Sequence, residues 1–240
     1  MTTKIPELSF NQIERGDTSS VSSLDSALRD HGFFSIIDHD LNKKLIESCY
    51  IASQEFFNLD FAIKNSYSAT ASKGARGYTP NGIETAVGET IADQKEFWHH
   101  GPNVDDSYNE KIPRNIKISE LPEFNHCFDK LFLELNEIGI RILSVIALSL
   151  NLEKNFFKPW VEKGNSLLRA IHYPPVESSK NLYRARAHED INLITLLIGA
   201  EEGGLEVLSK DNTWIKVNPS SDAIVCNIGD MMQLVTDSRL

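Results

Sequence analysis

Apolar residues recur along this chain in two rhythms. Val21, Leu24, Ala27 and Leu28 fall at helical spacing and predict a short amphipathic helix over Val21 to Asp30, stopped by Gly32. Phe33 to Ile37 then runs apolar over the length of a buried strand. Leu41, Leu45, Cys49, Ala52 and Phe56 step by three or four, so a second helix is expected over about 41–58. Residues 72–90 are rich in Gly, Thr and Ser and read as loop. The clearest pattern begins near Ser119, a plausible N-cap, with Pro122 in the first turn. Leu121, Phe124, Phe128, Leu131, Leu135, Ile138, Ile142 and Val145 form one stripe, widened by Phe132, Leu133, Ile140 and Leu143. A stripe that wide predicts the spine helix of a globular domain rather than a coiled coil.

After Gly164 the rhythm shortens. Strand-like runs follow at Leu167–Tyr173, Leu193–Ile198, Leu205–Leu208, Thr213–Val217, Ala223–Ile228 and Met231–Thr236. Pro174-Pro175, Gly203-Gly204, Asp211-Asn212, Pro219-Ser220 and Gly229-Asp230 separate them as turns. Short strands at such spacing predict a sandwich or jelly roll. Helices first and strands afterwards is an α+β order. No internal repeat, GxGxxG or P-loop is present, which argues against a nucleotide-binding parallel sheet. Three consecutive regions result: 1–118, a spine helix with its connector over 119–163, and a β-rich core over 164–240.

Composition narrows the class. With 240 residues, 41% hydrophobic and 24% charged, the chain can bury a sizeable core. A net charge of −10 argues against nucleic acid and anionic membrane as partners. No apolar stretch reaches membrane-spanning length, and the N-terminus MTTKIPELSF has no apolar signal region. Cys49, Cys127 and Cys226 are widely spaced in apolar surroundings, as expected of buried free thiols in a reducing cytoplasm. A cytoplasmic monomer is the expectation.

The chemical signal is His188-Glu189-Asp190. In an extended segment His188 and Asp190 share a face while Glu189 points away as a solvated charge. Imidazole beside carboxylate is two-thirds of a 2-His-1-carboxylate triad, which holds Fe(II) and leaves positions open for O₂ and a co-substrate. Alone the pattern is weak, since the chain has seven His and many Asp; a surface histidine beside a carboxylate reads the same way.

Context strengthens it. LLRAIHYPP (Leu167–Pro175), RARAHEDINLITLL (Arg184–Leu197), GGLEVL (Gly203–Leu208), DNTWIKV (Asp211–Val217) and AIVCNIGDMMQLVTDSR (Ala223–Arg239) form an ordered block. With IPELSF (Ile5–Phe10), HGFFSIIDHDL (His31–Leu41), GARGYTP (Gly74–Pro80) and DQKEFWHHG (Asp93–Gly101), the chain resembles the isopenicillin N synthase-like Fe(II)/2-oxoglutarate dioxygenases over nearly its whole length. The resemblance implies a double-stranded β-helix (jelly-roll, cupin-like) core behind an N-terminal helical region. It implies Fe(II) and 2-oxoglutarate as cofactor and co-substrate, with O₂ and a small molecule as the other reactants. Hydroxylation, desaturation or ring closure would accompany release of succinate and CO₂.

Carried onto matching positions, the resemblance makes His188 and Asp190 iron ligands and Tyr173 a 2-oxoglutarate contact. The family's third ligand, a histidine, and its Arg-x-Ser clamp are expected beyond residue 240, so the core is expected to be C-terminally incomplete and turnover impaired. His172 neighbours Tyr173 and would face the other way; His99 and His100 are more distant substitutes. Arg76 and Tyr78, in a Gly-rich loop, and Arg186 are substrate-contact candidates. Arg169 and Arg184 are further cations near the site in sequence, and Lys95, Glu96 and Trp98 read as structural. Two alternatives stay open: a non-catalytic cupin-like binding module, and an oxidase of the same family that does not use 2-oxoglutarate. Substrate identity is not legible at this level.

Overall fold

The computed structural model describes residues 4–68, 74–85, 90–175, 183–199 and 203–240. Parts of the expected 72–90 loop, at 72–73 and 86–89, lie outside the described residues. In chain order the elements are β1 (Glu7–Ser9), α1 (Phe10–Glu14), α2 (Thr18–Asp30), β2 (Phe33–Ile37), α3 (Lys43–Phe57), α4 (Phe61–Ser66), β3 (Gly77–Thr79) and β4 (Glu96–His100). Then come α5 (Pro122–Ser149), α6 (Lys158–Val161), β5 (Leu168–His172), β6 (Ile194–Leu197), β7 (Glu206–Leu208), β8 (Trp214–Lys216), β9 (Ile224–Ile228) and α7 (Asp230–Val235). The chain divides into two compact units.

The first unit takes residues 1–40, 137–159 and 189–240. Its sheet has the order β1-β2-β9-β6; β1 runs parallel to β2, while β9 is antiparallel to both its neighbours. The β7-β8 hairpin is a separate two-stranded sheet. Ile5, Val207, Ile215, Val217 and Val225 form a buried cluster here, joined by Phe33, Leu197 and Leu205. Helix α2 begins three residues earlier than the apolar spacing suggests, because the Asp17 side chain accepts from the Ser20 amide at 2.9 Å and caps it. Gly32 ends it in the left-handed region, at φ 68°.

The second unit takes residues 41–136 and 160–188. Its antiparallel sheet has the order β3-β4-β5. Asn42 caps α3 by accepting from the amides of Lys44 and Leu45, which sets the helix start at Lys43. Phe56, Trp98, Phe124 and Phe128 build an aromatic core, with Phe124 and Phe128 stacked at 4.3 Å. Helix α5 starts at Pro122, the residue type that fits a first helical position, and runs 28 residues. Its first part belongs to this unit and the rest to the other.

Two expectations need correction. Met231–Thr236 is not a strand; α7 occupies it, with Asp230 in the first turn, Met232 buried and Leu234 exposed. A short β-prone run was ambiguous, and the acidic residue after Gly229 decided for a helix start. Nor is the chain helical in front and β-rich behind: β2 pairs with β9, and β4 with β5, so front and back segments contribute strands to the same sheets.

Candidate metal centre

Asp190 is held within the first unit. Its Oδ2 accepts from Thr195 Oγ1 at 2.6 Å and from Asn227 Nδ2 at 2.9 Å. Thr195 lies on β6 and Asn227 on β9, and the two are register partners across that antiparallel pair. One cross-strand pair therefore grips one carboxylate oxygen. The backbone is fixed as well, since the Asp230 amide donates to the Asp190 carbonyl at 2.8 Å. Gly229 makes that approach possible. A Cβ there would collide with the carbonyl oxygens of both Asp190 and Asn192.

His188 belongs to the second unit and is exposed, in irregular backbone rather than a strand. Its Nδ1 lies 2.7 Å from the Arg186 carbonyl oxygen. The run leading to it is tied to the approach to β4: the Arg186 amide donates to Asp93 Oδ1 at 3.1 Å, and the Gln94 amide to the Tyr183 carbonyl at 2.9 Å. Asp93 is 2% exposed and pairs with Lys95 at 3.0 Å. Lys95 also pairs with Glu84 at 2.7 Å, and Glu84 with Arg169 at 3.3 Å. Burial works against the Glu84 carboxylate, but Lys95 and Arg169 outweigh it and hold its pKa low. The same pairing keeps Lys95 charged against the cost of its burial.

That chain of charges ends on a histidine. Arg169 Nε donates to His99 Nε2 at 2.7 Å. Guanidinium can only donate, so Nε2 accepts, and His99 Nδ1 carries the proton that reaches the Gly74 carbonyl at 2.7 Å. Burial, reinforced by Arg169, pushes the His99 pKa down to about 4. His99 is thereby a neutral structural histidine.

The other candidates are placed as follows. Tyr173 is 37% exposed just beyond β5, and desolvation pushes its phenol pKa up. Arg76 and Tyr78 are not displayed on an open loop. Arg76 is 1% exposed, donating to the Ala75 carbonyl at 2.7 Å and to Asn165 Oδ1 at 2.8 Å. A side chain at Gly101 would collide with that guanidinium. Tyr78 is buried and its hydroxyl donates to Glu96. The same carboxylate receives Lys64 Nζ at 2.8 Å and faces His172 Nδ1 at 2.8 Å. His100 is buried against Asp129 at 2.8 Å. The Arg186 guanidinium lies 4.8 Å from the centre of the Tyr183 ring.

Iron-binding chemistry fits what is present. A ligating imidazole is normally oriented by a bond from its other nitrogen to a carbonyl, and a ligating carboxylate by donors of its own. His188 and Asp190 each carry that support from within their own unit. Imidazole and carboxylate also suit Fe(II) better than thiolate would. Among the described residues no group of three or more His, Cys, Asp or Glu converges as a metal site. Sequence reasoning had assigned no role to Thr195, Asn227 or Asp93, and read Gly229 only as part of a turn. The Asn-x-Gly-Asp run at 227–230 was the available signal.

Residues 5–120 match the family model for the non-haem dioxygenase in morphine synthesis N-terminal region, and residues 164–240 that for the 2OG-Fe(II) oxygenase superfamily. A crystal structure from Caulobacter crescentus, of a protein described as belonging to the 2OG-Fe(II) oxygenase family, is 40% identical and has a TM-score of 0.89; the match covers 100% of this chain and 78% of that one. The 2-oxoglutarate-dependent dioxygenase ucsF from an Acremonium species is 28% identical, over 98% of this chain and 77% of the relative. A full-length Neurospora crassa protein, solved with alpha-KG and thymine, shares the fold with a TM-score of 0.83 at 24% identity, covering 98% of this chain and 77% of that one. Among the described residues no helix is long and apolar enough to cross a membrane.

Proposed function

The chain belongs to the 2OG-Fe(II) oxygenase family, and from that premise we propose that it oxidises a small molecule with Fe(II), 2-oxoglutarate and O₂, its His188 and Asp190 each donating to the iron. One observation carries the ligand assignment: both side chains are pre-oriented, His188 by the Arg186 carbonyl and Asp190 by Thr195 and Asn227. Bound iron and 2-oxoglutarate supply activation of O₂ coupled to decarboxylation of the co-substrate to succinate. The protein's own part is positioning. Thr195 and Asn227 fix the Asp190 carboxylate before any ion arrives. The Arg186 carbonyl, pairing with His188 Nδ1, selects the tautomer that presents Nε2 as donor atom. Tyr173 offers a protonated phenol, its pKa raised further by desolvation, hence a hydrogen-bond donor for a co-substrate carboxylate.

A double-stranded β-helix core over 164–240, preceded by the dioxygenase N-terminal region over 1–118 and the spine segment over 119–163, is the finer architecture of this reading. Antiparallel pairing of β9 with β2 and β6 supports it. A net charge of −10 supports a small-molecule partner over nucleic acid or membrane. A cytoplasmic monomer completes the proposal.

The test is an anaerobic titration with Fe(II) and 2-oxoglutarate, following the visible charge-transfer band of the chelate. A band in the unmodified chain that is lost in His188→Ala is the expected result. A band of equal strength in His188→Ala would overturn the assignment.

A further inference from the structure

The three cysteines are not equivalent. Cys226, on β9, is fully buried, with its Sγ 3.8 Å from the Ile224 carbonyl oxygen. Cys49 on α3 and Cys127 on α5 lie together in the second unit, 4% and 8% exposed. Their sulfurs are 3.3 Å apart although 78 positions separate them in sequence. An S–S bond is about 2.05 Å long, so closure asks for an approach of about 1.3 Å, within reach of small side-chain rotations. Both residues sit on capped or long helices whose backbones already hold the sulfurs in register.

We propose that Cys49 and Cys127 are an oxidation-sensitive dithiol that closes to a disulfide linking α3 to α5. Peroxide is the oxidant class. One sulfur attacks the peroxide O–O bond to give a sulfenic acid and one water. The second sulfur then displaces the hydroxyl as a second water, forming the S–S bond. Two thiol protons and two electrons leave the cysteines, and one hydrogen peroxide becomes two waters. Desolvation and the neighbouring thiol push the Cys49 pKa up, so thiolate is scarce at neutral pH and closure is slow, quickening as pH rises. The link would close a long loop and stiffen the second unit without touching Cys226.

The test treats the folded chain with hydrogen peroxide, then denatures and alkylates it for mass spectrometry. The expected product has lost two hydrogens, carries one alkyl group, on Cys226, and yields a Cys49–Cys127 linked peptide. Dithiothreitol restores three alkylated cysteines. Cys226→Ser keeps the link, while Cys49→Ser and Cys127→Ser both lose it. The oxidised chain melts higher by about 5–10 °C. Three alkylated cysteines after oxidation, a link through Cys226, or a sulfinic acid on Cys49 with no link would overturn the proposal. A linked chain that melts at or below the temperature of the reduced one would overturn its stabilising role.

Discussion

Strands β9 and β4 are both five residues long and central in their sheets, yet they are built from opposite materials. β9 reads Ile-Val-Cys-Asn-Ile, and its one strongly polar side chain, Asn227, is spent on Asp190. β4 reads Glu-Phe-Trp-His-His, and all five residues are buried. An apolar strand is stabilised by leaving water, and each of its residues contributes on its own. A polar buried strand depends on specific partners: Glu96 has Lys64, Tyr78 and His172, His99 has Arg169 and Gly74, and His100 Nε2 has Asp129, while His100 Nδ1 and Trp98 Nε1 have no hydrogen-bond partner among the described residues. The first kind of strand should degrade gradually under mutation, the second abruptly.

The largest effect should come from removing one charge of the β4 network. Glu96→Ala leaves the buried Lys64 without its carboxylate, beside the Phe57 carbonyl and the Tyr78 ring, and should cost about 3–5 kcal/mol of stability in urea denaturation. A cost below about 1 kcal/mol would show that the network is dispensable. Acid should next expose the same strand. The His99 pKa is about 4 when folded against an ordinary 6.5. As pH falls through 6.5 the unfolded chain takes up the proton first, so stability declines until about pH 4 and then levels off. Summed over that window His99 contributes a loss of about 3 kcal/mol, visible as a falling urea midpoint that His99→Gln flattens. Glu84 and Glu96, whose pKa values are held low, add losses that begin as pH falls through the ordinary carboxylate value of 4.5 and continue down to their lower folded values.

Smaller changes probe the apolar sheet and its edge. Gly229→Ala forces a Cβ into the Asp190 and Asn192 carbonyls and should cost about 2 kcal/mol. It should also weaken Fe(II) binding, because the displaced atom is Asp190 backbone. Ile224→Val, inside β9, should cost only about 1 kcal/mol and leave metal binding unchanged. If Ile224→Val proved as damaging as Glu96→Ala, the contrast between the two strands would fail.

Legibility followed the same divide. Helices α2, α3 and α5 and strands β2 and β9 announce themselves because their partners are apolar and any apolar neighbour will do. β4 was invisible as a strand. Glu96 reads as structural and the two histidines as distant substitute ligands, but nothing nearby in sequence marks a strand, since Lys64, Asp129 and Arg169 arrive from elsewhere in the chain. Helix α7 was misread because Met-Met-Gln-Leu-Val favours neither element strongly, and Asp230 in the first turn tips it to a helix. At the site, His188 and Asp190 stand out through their spacing and the surrounding motifs. The support of Asp190 does not, since Thr195 meets Asn227 only once β6 and β9 have taken their register. Family resemblance proposes the ligands; strand pairing accounts for what holds Asp190, and the local backbone for what orients His188.

The most direct measurement is the Fe(II) affinity of the unmodified chain, His188→Ala, Asp190→Ala and Asn227→Ala, by calorimetric titration under argon. The account predicts that the unmodified chain binds, that the two ligand variants bind far more weakly, and that Asn227→Ala loses about 10–100-fold. Equal affinity in all four would contradict the claim that His188 and Asp190, each oriented from within its own unit, hold the metal.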